Sequence, residues 1–300
     1  MSTAEDLYAI EEHTDRATWL AARRRGLGGS DAGVLWGVSD RHTLYTLWAD
    51  KRHGKRPEDD TDPIWRLIGH EFEPALARVY GQIHNRGIIN IGQHTILRSR
   101  AWPWMTATLD RVGEARERPG YGVVECKVRS APSAWWWWQK HGIPADIWAQ
   151  VQHDFAVTGW RWGAVVALLS GRPWVREIER DDAWIEDHVE RCHDYWYRYV
   201  LGDEVPPRDG RRVTLDAVKL VNDEGTGETV KLNAEAEAWV DTIRGFKAIK
   251  EAHDKAESEL RTAMGSATFG ILPSGKRIKL TDVEGTETRK GYRRLIVLKK

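Results

Sequence analysis

The segment Glu125-Cys126-Lys127 lies in a run of apolar, β-branched residues, GVVECKV, that is typical of a buried strand. Because side chains alternate between the two faces of a strand, Glu125 and Lys127 point to the same side. A carboxylate and an ammonium on one face of a buried strand are costly unless they are paired or used. A structural ion pair and a catalytic pair both meet this condition, and these three residues alone do not separate the two readings.

Asp110 adds a second carboxylate to this strand. It ends the strand-like run MTATLD, and a turn-like segment, GEARERPG, separates it from the strand of Glu125. A hairpin between the two runs brings Asp110 beside Glu125. Two carboxylates form a hard oxygen site suited to Mg²⁺, and Lys127 can orient an attacking water. The pattern therefore predicts metal-assisted hydrolysis of a phosphodiester, although D…ExK patterns also arise often by chance.

Further polar residues lie on the elements around this pair of strands. Glu73 lies in GHEFEPA, on a predicted helix before the sheet, and could complete the metal shell; Gln150 lies in WAQVQHD, on a helix after it. Near the N-terminus, Arg23 precedes the turn GLGGSDAG, in which Ser30 is predicted to cap a helix. Backbone N–H groups, a hydroxyl and an arginine together form an anion site, and we expect a DNA phosphate there.

These residues need a scaffold, which the hydrophobic periodicity predicts along the chain. Helices are predicted over 15–25, 43–52, 63–85, 131–140, 144–158 and 181–200. Strands are predicted at GIINIG, HTILRS, WMTATLDRV, YGVVECKV, RWGAVVALLSG and WVREIE, since these runs are β-branched and punctuated by glycine or proline. The predicted fold class is α/β, with a mixed central sheet flanked by helices.

The composition divides the chain into a core, a connection and an extension. The predicted core covers residues 1–205, and residues 206–232, rich in Pro, Gly, Asp and Asn, read as a linker. Residues 233–300 are predicted to form a C-terminal extension with a long helix over 234–264 and short β-strands. The apolar positions of that helix form a stripe like that of a coiled coil.

Charge and cysteine content bound the possible functions. The 300 residues hold 45 basic and 45 acidic side chains, so the net charge neither indicates nor excludes a nucleic-acid partner. Two cysteines are too few for a disulfide framework, a Cys₄ zinc site or a four-cysteine iron–sulfur cluster. The acidic N-terminus does not resemble a signal peptide, and no apolar run is long enough to cross a bilayer. We therefore expect a cytoplasmic protein without a membrane partner.

Six segments together resemble the YqaJ-like viral recombinase family, which includes the phage lambda exonuclease. They are RRRGLGGSDAG (23–33), TLYTLW (43–48), GHEFEPA (69–75), TATLD (106–110), VECKV (124–128) and AQVQHDFAVTG (149–159). Each segment is weak evidence alone, but all six follow the family order. The resemblance implies a PD-(D/E)XK restriction-endonuclease-like core and a Mg²⁺-dependent exonuclease, with Mn²⁺ as the alternative ion. Such an enzyme hydrolyses one strand of linear double-stranded DNA from 5′ to 3′ and leaves 3′ overhangs.

The resemblance also implies a role for each matching residue. Asp110, Glu125, the carbonyl of Cys126 and Glu73 resemble the metal ligands, Lys127 and Gln150 the groups near the nucleophilic water, and Arg23 and Ser30 the 5′-phosphate site. Arg24 and Arg25 are alternatives to Arg23, because the register within the three arginines is open. The implied setting is phage-type recombination in the cytoplasm of a bacterial host. The implied partners are a single-strand annealing protein and further copies of the chain, which form a ring-shaped trimer in some family members.

Other functions on the same core stay open at this point. A structure- or site-specific endonuclease would also cut circular DNA, which an exonuclease leaves intact. A catalytically inactive scaffold that binds DNA ends is a third reading, against which the intact Asp110, Glu125 and Lys127 argue. An RNA-processing nuclease is a fourth.

Two further groups of residues call for an interpretation. Trp135 to Trp138 are consecutive on a predicted helix, so their side chains point in all directions and at least one must be exposed. Such a side chain would contact a neighbouring subunit or stack on DNA. His188 and Cys192 have i,i+4 spacing, but the sequence shows no residues that complete a zinc site, and we assign none. His153 is expected to be an ordinary, partly buried histidine.

Overall fold

The computed structural model describes residues 7–57, 63–118, 120–223, 225, 227–283 and 292–297. The first six residues, which bear on the expectation about the N-terminus, lie outside these ranges. The chain forms two compact units, Met1–Gly225 and Thr226–Lys300. No helix in the described ranges has the length and apolarity that crossing a membrane requires.

The first unit contains eight strands and eight helices among its described residues. In chain order they are β1 Tyr8–Glu12, α1 Arg16–Arg24, α2 Gly29–Leu35, α3 Leu44–His53, α4 Pro63–His84, β2 Gly87–Ile89, β3 Thr95–Ser99, β4 Thr106–Ala107, β5 Arg111–Glu114, β6 Tyr121–Arg129, α5 Ala134–His141, α6 Ala145–Thr158, β7 Trp162–Leu169, β8 Arg172–Glu179, α7 Asp182–Tyr195 and α8 Arg212–Val221. Helix α7 continues into a π-helical segment, Trp196–Leu201. The six helices predicted for the core are thus present, with ends that differ by a few residues.

The central sheet has five strands in the order β2-β5-β6-β7-β8. Strands β6 and β7 are parallel, and the other pairs are antiparallel. A second sheet, β1-β3-β4, has three strands. Helix α4 packs on one face of the central sheet, through Leu76 and Tyr80 against Val124 and Cys126. On the other face, Phe155 of α6 belongs to the main core. The predicted α/β fold with a mixed sheet is confirmed.

The segment WMTATLDRV was predicted as one strand, and this was wrong. It forms two strands, because β4 pairs with β3 in the small sheet whereas β5 pairs with β6 in the central sheet. The chain changes sheets over residues 108–110, so Asp110 lies at the change. The β5–β6 hairpin itself is present, with Arg111 opposite Val124.

The segment predicted as a linker contains helix α8. Its Thr214 and Ala217 are buried, and the Thr214 hydroxyl lies 2.9 Å from the hydroxyl of Thr43, at the start of α3. The guanidinium of Arg211, just before α8, donates to the carbonyls of Ser39 and His42. Residues 211–221 are therefore part of the first unit, because α8 buries one face against α3.

The second unit consists of one long helix and a small sheet. Helix α9 spans Glu235–Met264, and the strands are β9 Phe269–Ile271, β10 Arg277–Val283 and β11 Tyr292–Val297. The sheet order is β11-β10-β9, with antiparallel pairs. The long helix and short strands are those that the sequence predicts.

Candidate active site

The side chains of Glu125 and Lys127 meet on one face of β6, as strand alternation predicts. Lys127 donates a hydrogen bond from Nζ to Glu125 Oε1, and Glu125 is 1% exposed. Gln150 of α6 bridges the pair, since its Nε2 donates to Glu125 Oε1 at 2.8 Å and its Oε1 accepts from Lys127 Nζ at 3.3 Å. Three of the residues chosen from the sequence thus form one hydrogen-bonded network.

The β5–β6 hairpin places Asp110 at the edge of this network. Its Oδ2 accepts a hydrogen bond from the backbone N–H of Cys126 at 2.8 Å. The Cys126 thiol lies on the opposite face, 3.6 Å from the carbonyl oxygen of Glu73. Residue 73 of α4 is therefore brought to the same strand, and its carboxylate lies 3.4 Å from His70.

The site holds more negative charge than Lys127 can balance. Burial raises the pKa of Asp110 well above its usual range, and the neighbouring Glu125 raises it further. Burial also raises the pKa of Glu73. Burial lowers the pKa of Lys127, but attraction from Glu125 and Asp110 outweighs it and the net shift is upward. The raised pKa values of Asp110 and Glu73 favour their protonated forms, so the cluster lacks positive charge.

The donor set fits a hard divalent cation. The Oε2 atom of Glu125 is buried and has no hydrogen-bond partner among the described residues. Buried carboxylate oxygens without partners are costly, and oxygen-rich sites of this kind suit Mg²⁺. A cation at Asp110 and Glu125 would satisfy that oxygen and offset the excess negative charge.

Arg23 and Ser30 also meet, at the start of α2. The Arg23 guanidinium donates to Ser30 Oγ at 3.4 Å and lies over the Trp19 ring, 4.7 Å from its centroid. Burial lowers the pKa of Arg23. Arg24 instead lies 3.5 Å from Asp50. Of the two, the structure brings Arg23 to Ser30.

The predicted cap of α2, Ser30, was wrong, because the helix begins two residues earlier than that cap implies. Gly28 is the N-cap, and the Asp31 carboxylate accepts its N–H at 2.9 Å. Asp31 also pairs with Lys51 at 2.8 Å. Ser30 therefore lies within the first turn, where its hydroxyl is free to face Arg23.

Asp154 belongs to the site and was missed in the sequence. It lies one helical turn after Gln150 and is 1% exposed, and neither carboxylate oxygen has a hydrogen-bond partner in the described part of the chain. Burial raises its pKa well above the usual range, and Glu125 and Asp110 add to the shift. A Cβ on Gly29 would lie 2.6 Å from Asp154 Oδ1, so α2 and α6 approach closely there. The i,i+4 spacing from Gln150 was the available signal.

An adjacent face of α6 contributes to a different cluster, formed by His153, His188 and Cys192. All three are buried, and their ligand-type atoms lie within 4.8 Å of one another. Two expectations were wrong: His153 is fully buried, and a third potential ligand does stand beside His188 and Cys192, because α6 and α7 pack face to face.

The hydrogen bonds of this cluster argue against a metal. Trp36 Nε1–H donates to His188 Nδ1 at 3.0 Å, so the His188 proton lies on Nε2. That proton is donated to His153 Nδ1 at 2.8 Å, and His153 Nε2–H donates to the Thr106 carbonyl at 3.0 Å. The nitrogen lone pairs that a metal would need are thus engaged, and burial lowers the pKa of His153 to about 4. The cluster is a neutral relay of hydrogen bonds.

The four consecutive tryptophans of α5 divide as the helical geometry predicts. Trp138 is buried and packs edge-on against Trp174, with ring centroids 4.9 Å apart. Trp136 and Trp137 are 68% and 46% exposed. What these two rings contact stays a prediction.

Comparison with known proteins gives a similarity to one family model and a similarity of fold. Residues 18–161 match the model of the YqaJ-like viral recombinase domain. The uncharacterized protein YqaJ of Bacillus subtilis (strain 168) is 26% identical over 281 residues, which cover 90% of this chain and 85% of that protein. The alkaline exonuclease LHK-Exo of Laribacter hongkongensis has a similar fold, with a TM-score of 0.50 and 16% identity over 61% of this chain and 92% of that one. The structure of LHK-Exo in complex with dAMP matches equally well.

Proposed function

We propose that this chain, whose residues 18–161 match the model of the YqaJ-like viral recombinase domain, is an exonuclease that hydrolyses linear double-stranded DNA. The network of Glu125, Lys127 and Gln150, with Asp110 on the adjoining hairpin, carries the proposal. A structural ion pair would need neither the glutamine bridge nor a surplus of buried carboxylates. The fold similarity to an alkaline exonuclease supports the same reading.

The metal we propose is Mg²⁺, with Mn²⁺ as the alternative. Asp110, Glu125, the Cys126 carbonyl and Glu73 would hold it. When bound, such an ion supplies Lewis-acid stabilisation of the phosphate and lowers the pKa of a bound water. Lys127 then orients the nucleophilic water, and Gln150 holds Lys127 and Glu125 in place through its two hydrogen bonds.

The direction of strand degradation that we propose rests on the pair Arg23 and Ser30. We assign to them the 5′-phosphate of the DNA end, because Arg23 is a half-buried cation whose pKa is lowered by burial and which an anion would stabilise. A fixed 5′-phosphate next to the carboxylates favours 5′ to 3′ degradation, which leaves 3′ overhangs. The setting we propose is phage-type recombination in a bacterial host, with a single-strand annealing protein as recipient of the overhang and a ring-shaped trimer as the assembly.

The test is digestion of linear duplex DNA with 5′-phosphates, in Mg²⁺ and in EDTA. Lys127→Ala and a matched control, Lys140→Ala, are compared, because Lys140 is an exposed lysine on α5. We expect Mg²⁺-dependent loss of the linear substrate only, abolished by Lys127→Ala and retained by Lys140→Ala. Cutting of a closed circle would show an endonuclease, and end binding without cleavage would show an inactive scaffold.

A further inference from the structure

Two thirds of helix α9 is exposed, since every residue from 237 to 256 is exposed, a stretch of twenty of its thirty residues. Toward the C-terminal end, Leu260 and Met264 are partly buried, and the Met264 sulfur lies 3.5 Å from the position of a Cβ on Gly270. In proteins most of the stability of a helix comes from the packing of its apolar face. A packing partner would therefore stabilise an apolar face within this exposed segment.

Residues 237–256 of α9 also carry an apolar stripe. Trp239, Ile243, Phe246 and Ile249 follow at intervals of four, three and three residues, so they share one side of the helix. They are exposed by 58%, 70%, 69% and 69%, respectively. Four large apolar side chains in one continuous patch are characteristic of an interface. We call these four residues the α9 stripe.

We propose that a second copy of this chain covers the α9 stripe, with the two α9 helices antiparallel about a two-fold axis between Thr242 and Ile243. This register places Trp239 of each helix opposite Phe246 of the other. A two-fold contact joins the same patch on both copies, and together with the proposed ring of three copies it would give an assembly of six.

The charges beside the α9 stripe favour the antiparallel orientation of the two helices. Glu235 lies four residues before Trp239 and Lys250 four residues after Phe246, so these two charges flank the α9 stripe on the same side of the helix. Neither forms an ion pair among the residues that the structure describes. The antiparallel register sets Glu235 of one helix against Lys250 of the other, twice per dimer. A parallel, in-register pair would place like charges together, which disfavours it.

The first test is the mass of the full chain by sedimentation velocity over a range of concentrations. Ile243→Glu puts a charge at the centre of the contact and should weaken association by about a hundredfold or more. The control is Ala248→Glu, which adds the same charge on the opposite side of the helix and should leave association unchanged. Equal masses for the two variants, or a wild-type chain that stays monomeric, would overturn the proposal.

The second test addresses the register. Glu235→Lys and Lys250→Glu should each weaken association by about tenfold, because each creates two like-charge contacts per dimer. The double variant Glu235→Lys/Lys250→Glu should restore it. A double variant that associates no better than the single ones would exclude the antiparallel pair and point to a partner of different sequence. Neither test depends on nuclease activity.

Discussion

Helix α6 contributes to two polar clusters that differ in their hydrogen-bond balance. On one side, Gln150 and Asp154 face Glu125 and Lys127, where three buried carboxylate oxygens have no partner among the described residues. On the adjacent face of α6, His153 and His188 form a relay in which each proton has one acceptor. Buried polar groups normally find partners, so the unbalanced cluster indicates a ligand and the balanced one indicates structure.

The largest effect should come from Lys127→Met, which keeps the length of the side chain and removes its charge. We expect the rate of linear DNA degradation to fall by about 10²–10⁴-fold, the range for loss of a group that positions or transfers a proton. The melting temperature should change little, because methionine keeps the packing of the side chain and Gln150 keeps its hydrogen bond to Glu125 Oε1. Single-turnover cleavage measures the rate, and thermal unfolding measures the melting temperature. A large drop in melting temperature with the cleavage rate retained would mean that Lys127 has a structural role and no catalytic one.

Next in size is His188→Leu, which breaks the relay at its centre. The variant leaves Trp36 Nε1–H without an acceptor and His153 Nδ1 without a donor, and we expect the free energy of unfolding to fall by about 3 kcal/mol. His188→Gln is the matched control, since an amide can accept and donate, and it should lose less than half as much. Urea unfolding measures both. If the two variants were equally stable, the relay would have no structural role.

The relay should also make the protein sensitive to acid. Because burial holds the folded-state pKa of His153 at about 4, below the value of 6.5 in the unfolded chain, the unfolded state binds more protons between these values. This contribution to stability is complete above pH 6.5 and is lost as the pH falls toward 4. The loss of stability at pH 4.5, relative to pH 7, amounts to about 2.5 kcal/mol. The difference between urea unfolding at pH 7 and at pH 4.5 should shrink by a similar amount in His153→Gln; an unchanged difference would contradict it.

The smallest expected effect is that of Asp154→Asn, which should stabilise the protein instead of destabilising it. Burial raises the folded-state pKa of Asp154, so the ionised carboxylate destabilises the fold at high pH and this cost disappears as the pH falls through that pKa. We expect Asp154→Asn to raise the free energy of unfolding by about 1 kcal/mol at pH 8 and to lower cleavage. Asp146→Asn, on the first turn of the same helix, is the control. A loss of stability at pH 8 would mean that Asp154 has a structural partner.

The sequence predicts the parts of the site that local geometry determines. Strand alternation places Glu125 with Lys127, and the hairpin places Asp110 beside them, because both relations need only neighbouring elements. Gln150 could be assigned only through the family resemblance.

The i,i+4 spacing places Asp154 on the face of α6 that carries Gln150. Its burial depends on how α2 crosses α6 at Gly29, and no local pattern encodes such a crossing. The same limit explains the missed helix α8. Its composition favours a linker, and only packing against α3 makes residues 212–221 part of the first unit.

The most direct test of the account measures cleavage rate per folded molecule and free energy of unfolding together, for Lys127→Met and His188→Leu. The account predicts a crossed pattern: Lys127→Met loses the rate and keeps the stability, whereas His188→Leu loses stability and keeps the rate. A Lys127→Met protein that still degrades linear DNA at the wild-type rate would contradict it. The catalytic centre would then lie elsewhere than on β6.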